Sequence, residues 1–387
     1  MYTRVPRVTS PKTDGHPARP CKGGTHGCGT NAKTVWFVLF VLSLFACSCK
    51  DAGIQPPDGP HPKFRWTSYD VSNSGIPHNW IGSITFDNYN TAWIGTLFNG
   101  IARFDGSSWT TFNTSNSGLP SDSIWCMAVD RSNHLWVGTS NGLAEFDGAH
   151  WTVFTPANSP LPYKSVLSLA VDQNNELWIG CGHATGGGLL SYDGNKWSLY
   201  TPDNSILPCR IINRIVVDRD NTKWVGTAMF QGQGGLVKIQ NGVWTEFDRS
   251  NSALPYNWVD DLAADNQGNV WIAQAVAIYL DPGILYGALV RFDNAGQHVI
   301  KPAVSGKTSN RAGSLAIDQR GNLWFATMPD GIFSYDLTVY DGTDWLVLSS
   351  EYADFPHMFT PEITTDHLGR IWLGTDRGVY VIEYVSP

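Results

Sequence analysis

The chain has 387 residues, including 39 Gly and 17 Trp, but only 16% are charged, and its formal net charge is −8. Residues 1–46 hold six of the Lys and Arg and one Asp, which leaves 20 basic against 33 acidic residues in the remainder. A body this acidic repels phosphate backbones and argues against nucleic acid as a partner.

Residues 1–33 are polar, basic and rich in Gly and Pro. An uncharged run of 12 residues follows, from Val35 to Ala46. A helix needs about 20 residues to cross a bilayer core, so this run is too short to span one. A basic flank, a short apolar core and a small residue before Cys47 read as an export signal over 1–46. Residues 47–63 carry four Pro and no apolar periodicity, the composition of a semi-extended tether. The seven cysteines are Cys21, Cys28, Cys47, Cys49, Cys126, Cys181 and Cys209. They show no zinc-type spacing with each other or with His, so no metal or other cofactor is expected.

From residue 64 to 387 the chain is a repeat. Asp87, Asp130, Asp172, Asp218, Asp265, Asp318 and Asp366 each precede a Trp by six residues: Trp93, Trp136, Trp178, Trp224, Trp271, Trp324 and Trp372. The Trp-to-Trp spacing drifts from 42 to 53. A fixed internal offset with elastic connections is the mark of a stacked or radial array. Each unit shows four short strand signals bounded by Asn, Asp, Gly or Ser. In the first unit they are 83–86, 92–96, 101–104 and 109–112. The signals predict an all-β, seven-bladed propeller, in which radial packing covers the face that each meander cannot bury alone.

A second Trp series closes the count. Trp66, Trp109, Trp151, Trp197, Trp244 and Trp345 each lie 21 residues before the next unit's Asp, and one member is missing near His298. Trp66 precedes the first unit, and the last unit lacks a fourth strand. The strand around Trp66 is therefore expected to complete the last blade. Cys126 and Cys181 are expected to be small buried side chains.

The repeated Asn-Ser-x-(Leu/Ile)-Pro links at 73–77, 116–120, 158–162, 204–208 and 251–255 are expected to be a shared turn solution. The short hairpins are expected to be uniform apart from an insertion at 337–341. On the opposite side the loops between second and third strands grow. Blade three carries His183 in 182–187, blade four carries Phe230 in 228–233, and blade five carries Tyr279, Asp281 and Tyr286 in 275–286. Variable loops on a rigid scaffold are where function concentrates. Counting back from each Asp, seven places hold Trp80, Trp258 and Arg311, while five and four places hold Trp125, Arg214, Asp260, Asp261 and Glu362. Trp80, Trp125 and Trp258 are the Trp residues left over once both series and Trp36 are set aside. Aromatic faces beside charged groups suit a ring-shaped polar ligand, with a channel mouth as the expected site.

The stretches "LWVGTSNGLAEFDGAHWTVFTPANSPLP" and "IWLGTDRGVYVIEY" resemble the two-component regulator propeller repeat over roughly 64–384. The resemblance implies a ligand-binding or interaction propeller of the periplasmic sensing type. No kinase, DNA-binding or membrane-spanning segment is expected after the propeller. Gly321-Asn322-Leu323-Trp324-Phe325 is more weakly similar to the streptogramin B lyase propeller, which implies a metal-assisted eliminase with paired His. His183, His298 and His357 fall in three different blades or connections, so a non-catalytic module is the expected reading. The alternative is a lyase or glycan-active enzyme using Arg214, Asp260, Asp261 and Glu362. Leu44-Phe45-Ala46-Cys47 resembles a lipoprotein lipobox, which implies lipid on Cys47, with Cys49 as the alternative. The partners expected are a small molecule, a glycan or a cell-envelope protein, at the outer membrane or facing the periplasm.

Overall fold

The structure, a computed structural model, describes residues 63–183, 186–229, 232–274, 288–300, 312–327, 336–348 and 362–385. Strands are numbered in chain order. β1 (Lys63–Tyr69) stands alone at the start. Blade 1 holds β2 (Ile81–Phe86), β3 (Ala92–Thr96), β4 (Ile101–Phe104) and β5 (Trp109–Phe112). Blade 2 holds β6 (Ile124–Val129), β7 (Leu135–Thr139), β8 (Gly142–Phe146) and β9 (Trp151–Phe154). Blade 3 holds β10 (Val166–Val171), β11 (Leu177–His183), β12 (Gly186–Tyr192) and β13 (Trp197–Tyr200). Blade 4 holds β14 (Ile212–Val217), β15 (Lys223–Met229), β16 (Gln233–Gln240) and β17 (Val243–Phe247). Blade 5 holds β18 (Asp261–Ala264), β19 (Val270–Gln274), β20 (Ala288–Asp293) and β21 (Gly296–Ile300). Blade 6 holds β22 (Ala312–Ile317), β23 (Leu323–Thr327), β24 (Asp336–Tyr340) and β25 (Trp345–Leu348). Blade 7 holds β26 (Glu362–Thr365), β27 (Ile371–Thr375) and β28 (Gly378–Val385), and β1 is its fourth strand.

All seven sheets are antiparallel meanders of four strands. β1 pairs with β28 along its whole length, from Lys63 opposite Val385 to Tyr69 opposite Val379. The first strand of each blade packs against the first strand of the next, and β26 packs against β2. The ring is therefore closed, with the first strands lining its central channel.

The core is divided into seven clusters, one per gap between blades. In each, the second-strand Trp of one blade packs on the inner strands of the next: Trp93 on Ile124 and Val137, Trp136 on Val166 and Ile179, and so on. The series closes with Trp372 on Ile81 and Ile94. Each indole thus supplies the apolar area that joins two sheets. Gly95, two residues after Trp93, is required by this close approach. A Cβ there would lie 2.5 Å from Ile124 Cγ2 of the next blade.

The fixed Asp-to-Trp offset has a chemical cause. Asp130 Oδ1 accepts the amides of Ser132 and His134, each at 2.9 Å, and Oδ2 accepts the Trp136 indole N–H at 3.1 Å. Trp224, Trp271, Trp324 and Trp372 donate in the same way to Asp218, Asp265, Asp318 and Asp366. Only a six-residue offset lets one carboxylate close the turn and meet the indole on the returning strand. Blades 1 and 3 depart from this, and in blade 1 the Trp93 indole N–H has no hydrogen-bond partner. In blade 3, Lys223 of blade 4 reaches Asp172 Oδ2 at 2.7 Å, and the Trp178 N–H is left without a partner.

The same turns join blade to blade. Asn90, Asn133, Asn175 and Asn221 adopt φ between 60° and 67°. Each presents its Oδ1 to an amide of the preceding blade, from His367, Asn88, Arg131 and Gln173 respectively. Blades 5 and 7 have Gly268 and Gly369 at this place. There Arg219 and Gln319 of the preceding blade reach across to the carbonyls of Asn266 and His367.

The Asn-Ser-x-(Leu/Ile)-Pro links also share one solution. Asn116 Oδ1 accepts the Asn113 amide, its Nδ2 donates to Thr111 O, and Ser117 Oγ donates to Asn113 O. Leu119 then inserts into the core between blades 1 and 2. The pattern repeats around Asn73, Asn158, Asn204 and Asn251.

Two expectations need correction. Residues 337–341 were expected to carry a hairpin insertion, but 336–340 are β24, the third strand of blade 6. The hairpin that follows is the ordinary turn, closed by Asp341 Oδ1 on the amides of Thr343 and Asp344. The enlarged connection of blade 3 is largely strand as well. Gly182 pairs with Gly187 and His183 with Gly186, so the hairpin is lengthened where a loop was expected.

Candidate functional site

The inner strands share an irregularity at the end where they begin, here called the upper end. In β2, β6, β10 and β14 the ladder with the second strand skips one residue: Gly82, Trp125, Leu167 and Asn213. A β-bulge turns its extra residue out of the regular pleat and re-aims its side chain. These bulges sit one residue above the wall residues Ser83, Cys126, Ser168 and Arg214. In blade 2 the result is an indole 41% exposed, Trp125, in a strand whose next two residues are buried.

Trp80 lies at the start of the neighbouring inner strand and is 44% exposed. Its ring meets Phe98 edge-on, with centroids 6.2 Å apart, and Phe98 in turn meets His78 at 4.9 Å. The Trp80 backbone is fixed at both polar groups, with its N–H donating to His78 Nδ1 and its carbonyl accepting from Leu97. Phe98 and His78 were not singled out by sequence. Phe98 stands in the short 97–99 connection, and its exposed large apolar side chain is the signal that marks it. On blade 5, Trp258 is half-buried and donates its indole N–H to Asp260 Oδ1 at 2.8 Å.

One level down, the residues four places before each repeated Asp form a girdle around the channel. Three are Ser, and they stitch inner strands together. Ser83 Oγ accepts the Met127 amide, Ser168 Oγ that of Ile215, and Ser314 Oγ that of Ile363. Asp261 does the same with Oδ2 on the Leu315 amide at 2.8 Å, while its Oδ1 accepts the Leu262 amide. Arg214 cannot accept a hydrogen bond and behaves differently. Its Nε lies 2.7 Å from Asp261 Oδ1, and its Nη1 lies 3.8 Å from Glu362 Oε2. Blades 4 and 7 are not neighbours, so Arg214 and Glu362 meet only because both side chains point into the channel.

Asp261 is 7% and Glu362 8% exposed, while the Arg214 side chain keeps 32% of its surface, which opens on the channel. Burial pushes the Glu362 carboxyl up to about 7, against a smaller downward pull from Arg214. Burial also raises Asp261, opposed by Arg214 and by the two amides it accepts. Asp261 in turn holds the guanidinium protonated above its already high range. The Cys126 thiol belongs to the same girdle and is raised by burial, and that of Cys181 is pushed up to about 12, so neither is a reactive thiolate.

The structure thus places Trp80, Trp125, Trp258, Asp260, Arg214, Asp261 and Glu362 at or just below one channel mouth. Arg311, Phe230, Tyr279 and Tyr286 lie outside the described residues, as do the His183 side chain, Cys47 and Cys49. No group of His, Cys, Asp or Glu among the described residues is arranged to hold a metal ion.

A cavity of about 410 Å³ lies at the other, lower mouth, lined by Asp130, Asp172, Asp218, Asp265, Arg131 and Arg219 among others. Its carboxylates are already engaged by turn amides and by indoles or Lys223. That mouth is a structural rim, and it offers a ligand few uncommitted polar groups.

Residues 118–141 match the family described as Two component regulator propeller. No curated protein matches the chain. Among solved structures, the extracellular domain of a hybrid two component system from B. thetaiotaomicron is similar at 21% identity and a TM-score of 0.65. The match covers 83% of this chain and 41% of that one, so the chain spans about two fifths of that ectodomain. A streptogramin B lyase is similar at 17% identity and a TM-score of 0.61, covering 83% of this chain and 98% of the lyase. PorZ, a surface component of the type-IX secretion system of Porphyromonas gingivalis, matches at 16% identity and a TM-score of 0.61, over 81% of this chain and 48% of PorZ. These identities establish a shared fold and leave function to the site. The chain is thus a seven-bladed propeller whose second repeat matches the two component regulator propeller family over residues 118–141, and in five of its blades the repeated Asp accepts the indole N–H six residues on.

Proposed function

We propose that this chain is an exported, non-catalytic propeller that binds a ligand or partner at its upper channel mouth. The observation that carries the reading is Trp125, an indole held out by a bulge where every neighbouring position of the strand is packed inward. Trp80 and Phe98 present a second exposed aromatic pair on the neighbouring blade 1. Exposed aromatic faces at a concave mouth, with Asp260 and Asn213 at its rim, suit the C–H faces and hydroxyls of a glycan. The solved sensor ectodomain and PorZ are extracellular or surface proteins, which accords with an exported chain.

Substitution of Trp125 by Ala is expected to weaken glycan binding at least tenfold, about 1.4 kcal/mol, without a change in Tm, because the side chain is half-exposed and holds no other element in place. Fluorescence titration of parent and variant against a panel of neutral oligosaccharides checks it. Equal affinity of the two proteins for every binding oligosaccharide removes Trp125 from the site. Turnover of any panel member would replace the binding reading with an enzymatic one.

The same reading places a lipid on Cys47, with Cys49 as the alternative. Cys47→Ser is expected to shift the protein from the membrane to the soluble fraction and to abolish incorporation of labelled palmitate. If only Cys49→Ser does so, the anchor is Cys49, and if neither does, the protein carries no lipid there.

A further inference from the structure

The upper mouth has a floor, and its charge is unbalanced. Asp261 accepts two backbone amides and pairs with Arg214 Nε at 2.7 Å, which accounts for both of its oxygens and neutralises the guanidinium. Glu362 is left over. It is more than nine-tenths buried, it receives no hydrogen bond among the described residues, and its nearest cation is Arg214 Nη1 at 3.8 Å, beyond hydrogen-bond reach. The three ionised groups together carry one uncompensated negative charge. A buried carboxylate in this state is costly unless a donor or cation reaches it.

The position of Glu362 decides what could reach it. It points into the channel, since it meets a residue of a non-adjacent blade there. It stands one place below the bulge level of Trp125, a rise of about 3.3 Å along a strand. The two stand two blades apart around the channel, so a ligand that lies on the indole and spans the mouth can also meet the carboxylate below it. Indole faces and a carboxylate both favour a cation, the first through the ring quadrupole and the second through charge. The guanidinium already present does not oppose this, because its charge is taken up by Asp261.

From this juxtaposition we infer that the ligand of the upper mouth carries a protonated amine, seated on Glu362 with its body against Trp125. The ligand class is an amino sugar or comparable ring-bearing amine rather than a neutral or acidic sugar. The inference rests on the binding reading above and narrows it. The ammonium supplies the donor that Glu362 lacks and brings the floor to neutrality.

Matched probes test it: the 2-aminoethyl β-glycosides of glucose and cellobiose, whose primary amines stay largely protonated at pH 8, the N-acetylated forms of both, and glucuronic acid, titrated by indole fluorescence at pH 8 and pH 5. The amines are expected to bind at least tenfold tighter than their acetylated partners at pH 8, with glucuronic acid weakest. The preference is expected to shrink at pH 5, where Glu362 takes up a proton. Arg214, Asp261 and Cys126 are the other charged or titratable groups that act on Glu362 or share its girdle. The Arg214 guanidinium stays protonated, the Cys126 thiol is kept neutral by burial, and Asp261 is raised by burial against the pull of Arg214, so substitution of Glu362 separates the contribution of Asp261 from that of Glu362. Glu362→Gln, which keeps the shape, is expected to abolish the amine preference while retaining Tm. Equal binding of amine and acetylated probes overturns the inference and leaves the mouth reading standing. Tighter binding of glucuronic acid overturns it outright. Binding of no probe, or binding indifferent to Trp125→Ala, overturns both readings.

Discussion

A chain lacking residues 63–69 is expected to lose cooperative folding or to aggregate, although it keeps all seven Asp-Trp units. β1 is the outer strand of blade 7 and pairs with β28 over seven residues. It also carries side chains that bridge blades at the junction of the two chain ends. Tyr69 lies 6.4 Å from Trp372, stacked, and 5.5 Å from Trp109 of blade 1. Phe64 meets Trp324 of blade 6 at 5.6 Å and Tyr384 at 5.1 Å. Removing a large core aromatic costs about 3–5 kcal/mol, and total stability is about 5–15 kcal/mol, so losing the strand consumes most of it. The truncation also bares β28 as a long edge strand, a template for pairing with other chains. The point variant Tyr69→Ala separates packing from pairing and is expected to cost about 2–3 kcal/mol, below the full core value because Tyr69 is only half-buried. Thermal unfolding and size-exclusion chromatography read both. A truncated protein that is monomeric, with the parent Tm, would show that the ring does not depend on its clasp.

Replacing Arg214 with Leu should be strongly destabilising, and more so at alkaline than at acid pH. The substitution leaves Asp261 and Glu362 buried without their shared cation. Removing one partner of a buried ion pair costs about 3–5 kcal/mol, and the lower end is expected because Arg214 keeps 32% of its side-chain surface open to the channel. The pH dependence follows from Glu362. Its folded-state pKa of about 7 stands above the ordinary 4.5, so the folded state holds a proton that the unfolded state has released. Stability therefore falls as pH rises through the window from about 4.5 to 7. Loss of Arg214 removes the opposing pull and extends the window upward, so the variant loses more at pH 8 than at pH 5. Urea unfolding of both proteins at the two pH values measures it. A variant as stable as the parent at pH 8, or one hurt more at pH 5, would mean that the three groups do not share a girdle.

The two experiments address different parts of the molecule. The first tests the frame that makes a channel, and the second tests the floor that closes it below the mouth. A protein that fails the second and passes the first would keep its seven blades and lose the basis for a charged seat under Trp125.

Much of the frame was legible in the residues because it is local. In all seven units the repeated Asp closes its own hairpin turn, and in five it also accepts the indole N–H, so the offset appears at constant spacing. The Asn-Ser-x-(Leu/Ile)-Pro links satisfy their own backbone and place one buried Leu or Ile. The clasp followed from counting the outer Trp series. The site was legible only as a level on the ring, since counting back from each Asp places Trp125, Arg214, Asp261 and Glu362 near the same mouth. What spacing could not supply was which of them meet. Arg214 reaches Glu362 across three blades, and nothing local distinguishes it from the Ser residues at the same place. The bulge that turns Trp125 outward is equally invisible, because a bulge is a relation between two strands and their register. The sequence determined the number of blades, their chemistry and their closure, all written in short-range hydrogen bonds and periodic burial. Only the closed ring decided which side chains share the channel, because that is settled by the radius at which seven sheets pack and by no contact between residues near in the chain.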